Sequence, residues 1–198
     1  MLTKYTSVNE IGIDEAGRGP LIGRVYAGAV IWPENLIPSP LIKDSKKLSP
    51  KKRKLALEWI QNNIPNWSVG FAEHYEIDNI NILNATALAM ERAVINLNIN
   101  TDDYNLVIDG NDWYKKLPQY KVHSIIDGDN KIYSIAAASI IAKEHHDMYI
   151  IKLCQDNNDL DIMYGLTKNM GYGTKVHLEG IKKYGISPYH RKSFKSCK

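Results

Sequence analysis

Cysteine is scarce in this chain: Cys154 and Cys197 are the only two in 198 residues. Two distant thiols build neither a disulfide framework nor a cysteine metal site, and they suit a reducing compartment. Long apolar runs are missing as well. No stretch approaches the roughly 20 residues that cross a bilayer, and the N-terminus lacks the apolar core of a signal peptide. The expectation is a soluble, intracellular protein of the cytoplasm. Internal repeats and low-complexity linkers are also absent, which favours one globular domain over residues 1–198. Acid is lacking in two places. The net charge of +3 is too mild to imply a nucleic-acid partner by itself. Its placement says more, because Lys43, Lys46, Lys47, Lys51, Lys52, Arg53 and Lys54 face only Asp44, and Arg191, Lys192, Lys195 and Lys198 face no acid at all. Taken alone, either run reads equally as a solvated face.

What is present begins with Ile11-Gly12-Ile13-Asp14-Glu15-Ala16-Gly17-Arg18-Gly19. Adjacent carboxylates disfavour joint ionisation, and a divalent cation is the readiest way to neutralise them. An arginine between glycines lets the backbone approach an anion closely. Val8 to Asp14 reads as a strand and Val25 to Trp32 as its antiparallel hairpin partner. Ser49-Pro50 starts a helix whose buried side is expected at Leu55, Leu57, Trp59 and Ile60. Strands follow at Trp67 to Ala72, Tyr104 to Ile108 and Tyr120 to Ile126. Helices are expected over Ile82 to Leu97 (with Leu83, Ala87, Met90 and Val94 on one face), Ile132 to Cys154, and Thr174 to Tyr184. A hairpin followed by alternating strands and helices implies an α/β fold, a mixed sheet covered by helices.

Four acids fall at element ends: Asp14 and Glu15 after the first strand, Asp109 after the fourth, and Asp129 before the long helix. Oxygen-only ligands suit Mg²⁺ or Mn²⁺. Two such ions about 3.5–4 Å apart would stabilise the attacking and leaving oxygens of a phosphoryl displacement. Neighbouring strand residues point to opposite faces, so the strand is expected to break or twist at Glu15 if both acids are to reach one site. Taken singly, Asp129 also reads as a helix N-cap and Asp109 as a turn former.

The Gly12–Leu21 stretch resembles the signature of ribonuclease HII, the type 2 ribonuclease H family. Asp44-Ser45-Lys46-Lys47-Leu48-Ser49, Val107-Ile108-Asp109-Gly110, Gly128-Asp129, Ser134 to Lys143, Gly171-Tyr172-Gly173 and His190-Arg191-Lys192-Ser193-Phe194 match in family order. The resemblance implies a ribonuclease H-like fold with a five-stranded mixed sheet and a helical C-terminal segment, about residues 156–198, that contacts substrate. It implies metal-binding catalytic acids at Asp14, Glu15, Asp109 and Asp129, and a sensor of the ribose 2′-OH at Gly17, Arg18, Gly19 and Tyr172. The implied activity is endonucleolytic cleavage of the RNA strand of RNA–DNA hybrids and 5′ of single ribonucleotides in duplex DNA, by a monomer. Lys46 and Lys47 are read as phosphate contacts. A structure-selective DNA nuclease of the same fold and a decayed hybrid-binding module are the alternatives. The second is motivated by Asp127, where the family carries lysine. Another departure is His146-Asp147 in place of Arg-Asp. His145 and His146 are expected at the surface, His177 and His190 as structural hydrogen-bonders, and Cys154 as buried helix filling.

Overall fold

A computed structural model of the chain describes residues 2–5 and 9–198. Its centre is a five-stranded sheet of β1 (Glu10–Ala16), β2 (Val25–Val30), β3 (Trp67–Ala72), β4 (Asn105–Asp109) and β5 (Val122–Ile125), in the order β3-β2-β1-β4-β5. β1, β2 and β3 pair antiparallel, while β4 runs parallel to β1 and β5 parallel to β4. The expected mixed sheet is present. Val8, placed in the first strand from sequence, lies outside the described residues.

Alternation along the strands assigns the two faces. Ile11 and Ile13 of β1, Ala27 and Ala29 of β2, and Leu106 and Ile108 of β4 share one core with Ala85, Ala89, Met90 and Ala93 of helix α2 (His74–Asn96). Burying each isoleucine contributes about 1.5–3 kcal/mol. That anchorage fixes β1 on both sides of Gly12, and so fixes where Asp14 stands. The opposite face lies under helix α3 (Tyr133–Asp156), which sits unusually close. A Cβ on Gly12 would come within 2.4 Å of the Ser134 side chain, and one on Gly28 within 2.4 Å of the Ala138 carbonyl oxygen. Small residues on both partners are therefore required there, as the Ala136-Ala137-Ala138-Ser139 stretch suggested.

The helices correct some expectations. In α1 (Pro50–Asn63), capped by the Ser49 side chain, the buried positions are Arg53, Ala56, Leu57 and Ile60, and Leu55 is 46% exposed. The buried stripe runs one residue out of phase with Leu55, and Arg53 enters it because it pairs with Glu144 at 2.5 Å and Asp147 at 2.9 Å. Helix α2 begins well before Ile82, at a capping box of Glu73 and Glu76. It is broken at Asn81, whose φ is 67° and whose side chain accepts from the Leu83 and Asn84 amides, so the expected start at Ile82 is the start of its second half. Leu83 is 39% exposed, and alanines fill the face instead. After α3 come α4 (Asp159–Tyr164), α5 (Leu166–Asn169) and α6 (Lys175–Tyr184), the last capped by Thr174 as expected. His146 is fully buried rather than at the surface, because it packs beneath Gly17, and Cys154 is buried as expected. Among the described residues no helix is long and apolar enough to cross a membrane.

Candidate active site

Asp14 and Asp109 are brought together by strand register. Gly12 stands beside Val107 in the parallel β1–β4 pair, so two residues further on Asp14 and Asp109 project on the same face. Asp129 arrives on a 3-10 turn, Gly128–Asn130, tied back by the Gly128 amide donating to Asp109 Oδ1 at 2.6 Å. One carboxylate oxygen from each of Asp14, Asp109 and Asp129 lies within 4.8 Å of the others. Asp129 does not cap α3; Ile132 holds that position without a side-chain bond.

Glu15 stands apart from this trio. The β1 ladder runs unbroken to Ala16, with Glu15 opposite Ala27, so the expected break does not occur. The Glu15 amide donates to Asp14 Oδ1 at 2.7 Å, while its carboxylate accepts from Arg18 at 2.9 Å. The Glu15 carboxylate thus faces Arg18 of the glycine loop, while its charge still acts on Asp14 and feels that of Asp109.

The electrostatics of the cluster are those of unrelieved repulsion. Burial pushes the Asp14 carboxyl well above its ordinary value, and the charges of Glu15 and Asp109 add to this. Asp129 is pushed up to about 6, by burial first and then by Asp44 and Asp109. Burial raises Glu15 as well, against the pull of Arg18. Burial would lower the Lys46 ammonium, but the fields of Asp14, Asp129, Asp44 and Asp109 more than offset it and raise it. Lys46 lies 3.8 Å from Asp129 and remains largely exposed, too weak a partner to neutralise three acids. A compact, buried, oxygen-only donor set with excess negative charge fits a hard divalent cation.

Beside the cluster is a cavity of about 200 Å³ between residues 15–19 on one side and Ser45, Lys46, Ser139, Lys143 and Tyr172 on the other. Gly17 has φ of +87°, which favours glycine, and a Cβ there would strike the His146 ring at 2.4 Å. A Cβ on Gly19 would lie 3.1 Å from the Tyr172 ring, so loop and tyrosine are in contact. Arg18 reaches over Trp113 at 5.8 Å, and Trp113 donates to the Asp109 carbonyl at 2.7 Å. Lys47 turns to Asn130 and Asp44 and does not line the cavity.

Some site residues escaped the sequence reading. Ser139 bonds Ser45 at 2.8 Å under Asp14, and Lys143 reaches the rim, 5.7 Å from the Tyr172 ring. Both had been absorbed into a helix motif, where a spacing of four residues was the available signal. Arg191, which the sequence offers as tail charge and as part of the His190–Phe194 match, is assigned no site role there. It is fully buried, and its guanidinium donates to the carbonyls of Gly17, Arg18, Pro20, Gly23 and Arg24 at 2.6–3.0 Å.

The family model for ribonuclease HII matches residues 11–197. The chain belongs to the ribonuclease HII family. Ribonuclease HII of Rickettsia akari is 50% identical over 98% of this chain and 95% of its own length, and that of Pelagibacter ubique is 49% identical over 92% and 94%. Among solved structures, the ribonuclease H2 of Pyrococcus horikoshii superposes with a TM-score of 0.72 at 27% identity, covering 96% of this chain and 95% of that one. A ribonuclease HIII solved with Mn²⁺ shares the fold, with a TM-score of 0.71 at 18% identity, over 96% of this chain and 68% of that one. This chain is accordingly a type 2 ribonuclease H with the ribonuclease H-like fold, from a divalent-metal-dependent family.

Proposed function

We propose that this enzyme hydrolyses the RNA strand of RNA–DNA hybrids and incises duplex DNA on the 5′ side of a single embedded ribonucleotide. The observation that carries this is the convergence of Asp14, Asp109 and Asp129 beside the Gly17–Gly19 loop and Tyr172. Asp14, Asp109 and Asp129 would hold Mg²⁺ or Mn²⁺, with Glu15 at the margin beside Arg18. When bound, such ions supply positive charge against the phosphate and the means of ionising a water at neutral pH. Water attacks phosphorus, the bond to the 3′ oxygen breaks and that oxygen takes up a proton, leaving 3′-hydroxyl and 5′-phosphate ends with no covalent enzyme intermediate.

The chain's own groups orient and select. Backbone groups of Gly17, Arg18 and Gly19 address the 2′-OH, the one group that separates RNA from DNA at a given nucleotide. The Tyr172 ring, half-exposed over Gly19, packs against the next, deoxy sugar. Lys46 and Lys47 approach backbone phosphates, adding affinity that falls with salt. The helical segment of about residues 156–198 contributes Tyr172 and the ties behind it. The test is incubation of a duplex carrying one ribonucleotide with Mg²⁺ or Mn²⁺. Incision 5′ of the ribonucleotide, abolished in Asp14→Asn and Asp109→Asn while binding persists, is the expected result. Absence of incision by the intact chain, or equal cutting of an all-DNA duplex, refutes the proposal.

A further inference from the structure

His177 and His190 are fully buried and belong to neither the carboxylate cluster nor the cavity wall. His177 lies in the first turn of α6, and His190 in a segment bridged to Ile22 of the glycine loop. Their Nε2 atoms are 3.0 Å apart. The groups at either end decide which nitrogens carry protons. The Ser187 amide donates to His190 Nδ1 at 2.9 Å, and the Ser187 hydroxyl lies 2.8 Å from the same atom. An amide N–H cannot accept, so His190 carries its proton on Nε2. That N–H donates to His177 Nε2, which leaves the His177 proton on Nδ1, 3.0 Å from the Tyr172 carbonyl oxygen. Every link points the same way, from Ser187 through both rings to Tyr172.

The surroundings keep the chain of bonds in this form. Burial lowers both imidazoles, His190 to about 4, so both are neutral at working pH. The Tyr164 ring covers the pair, with centroids 5.6 Å from His177 and 4.8 Å from His190. The Tyr172 carbonyl also accepts from the Thr174 amide at 2.7 Å, while the Tyr172 ring rests over Gly19 on the opposite side. The backbone of the tyrosine is thus fixed from behind and its ring left facing the loop.

We infer that His177 and His190 are positioning residues, a one-directional relay that holds Tyr172 in register with the glycine loop and so sets the enzyme's preference for an RNA–DNA junction. This rests on the reading of Tyr172 as the group that packs on the deoxy sugar. Nitrogen-15 NMR of the intact protein tests the relay directly: His177 should be the Nδ1–H tautomer and His190 the Nε2–H tautomer. His190→Phe, which keeps a ring and removes both nitrogens, should lower the ratio of junction to uniform-hybrid cleavage about tenfold, the scale of one oriented buried hydrogen bond. Added to Tyr172→Ala, it should lower that ratio no further. Should His190→Phe not fold, His177→Phe, which removes the Nδ1–H facing the Tyr172 carbonyl, gives the same comparison with a drop of the same size. An Nε2–H tautomer at His177, an unchanged ratio in the folded variant, or full additivity with Tyr172→Ala overturns the inference. If Tyr172→Ala itself leaves the ratio unchanged, the sugar-packing role of Tyr172 is what fails, and the tautomers alone decide the relay.

Discussion

Replacing Asp129 by asparagine should make the metal-free enzyme more stable while removing its activity. Asp129 is buried, and its carboxyl is pushed from 3.8 to about 6, by burial first and then by the charges of Asp44 and Asp109. At about 1.36 kcal/mol for each pH unit, holding it ionised costs roughly 3 kcal/mol. Asparagine removes that charge and keeps an oxygen to accept from the Asn130 side chain, now at 3.0 Å. The attraction of Lys46, 3.8 Å away and 79% exposed, is already contained in that rise to about 6, which it holds down. The net expectation is a gain of about 3 kcal/mol. Its pH dependence has a definite sign. Between 3.8 and about 6 the folded state binds more protons than the unfolded chain, so stability falls as pH rises through that window and is level above it. The gain should therefore be negligible near about pH 4 and complete above about pH 7. Urea unfolding in chelator at those two pH values measures it. Added Mg²⁺ should stabilise the parent and close the gap, because it neutralises the charge that asparagine deletes. A variant less stable than its parent in chelator at neutral pH, or a gain of equal size at both pH values, would refute the reasoning.

Three further outcomes are expected. Lys46→Ala should weaken binding to hybrid and duplex alike and lower the slope of log affinity against log salt by about 1, as seen in a titration over ionic strength. Arg191→Ala should cost about 3–5 kcal/mol in urea unfolding, since it leaves buried carbonyl oxygens without a donor, and should speed hydrogen exchange across residues 17–24; a loss under about 1 kcal/mol would contradict that. Gly28→Ala should lower stability by about 1–3 kcal/mol in thermal unfolding, because the Ala138 backbone has no room to retreat from the new methyl.

The sequence was most legible where local chemistry and tertiary structure agree. Trp67 to Ala72 is β-rich and is the strand observed, Ser49-Pro50 caps α1, and Thr174 caps α6. Asp14, Asp109 and Asp129 could be paired as candidates because each ends an apolar run or begins a turn. Their meeting, however, depends on parallel register, which no local pattern encodes. Legibility failed where a charged residue is buried by a distant partner. Arg53 lies in the α1 core only because Glu144 and Asp147 meet it from α3, and Arg191 is hidden only because a loop far back in the chain offers it carbonyl oxygens. The phase of α1 and the burial of Arg191 went unread for that one reason. Asn81 interrupts α2 with a left-handed residue, and its neighbours Asn79, Ile80 and Ile82 gave no signal of where the break would fall.

The bonds from Arg191 to residues 17–24 span 167 to 174 positions of chain. The three acids are all made once residue 129 is in place, whereas the guanidinium that ties residues 17–24 together lies 62 positions further along the chain. Contacts of such sequence separation close late in folding. The turn is therefore made early and tied last, so residues 17–24 take their final shape only once nearly the whole chain has folded behind them.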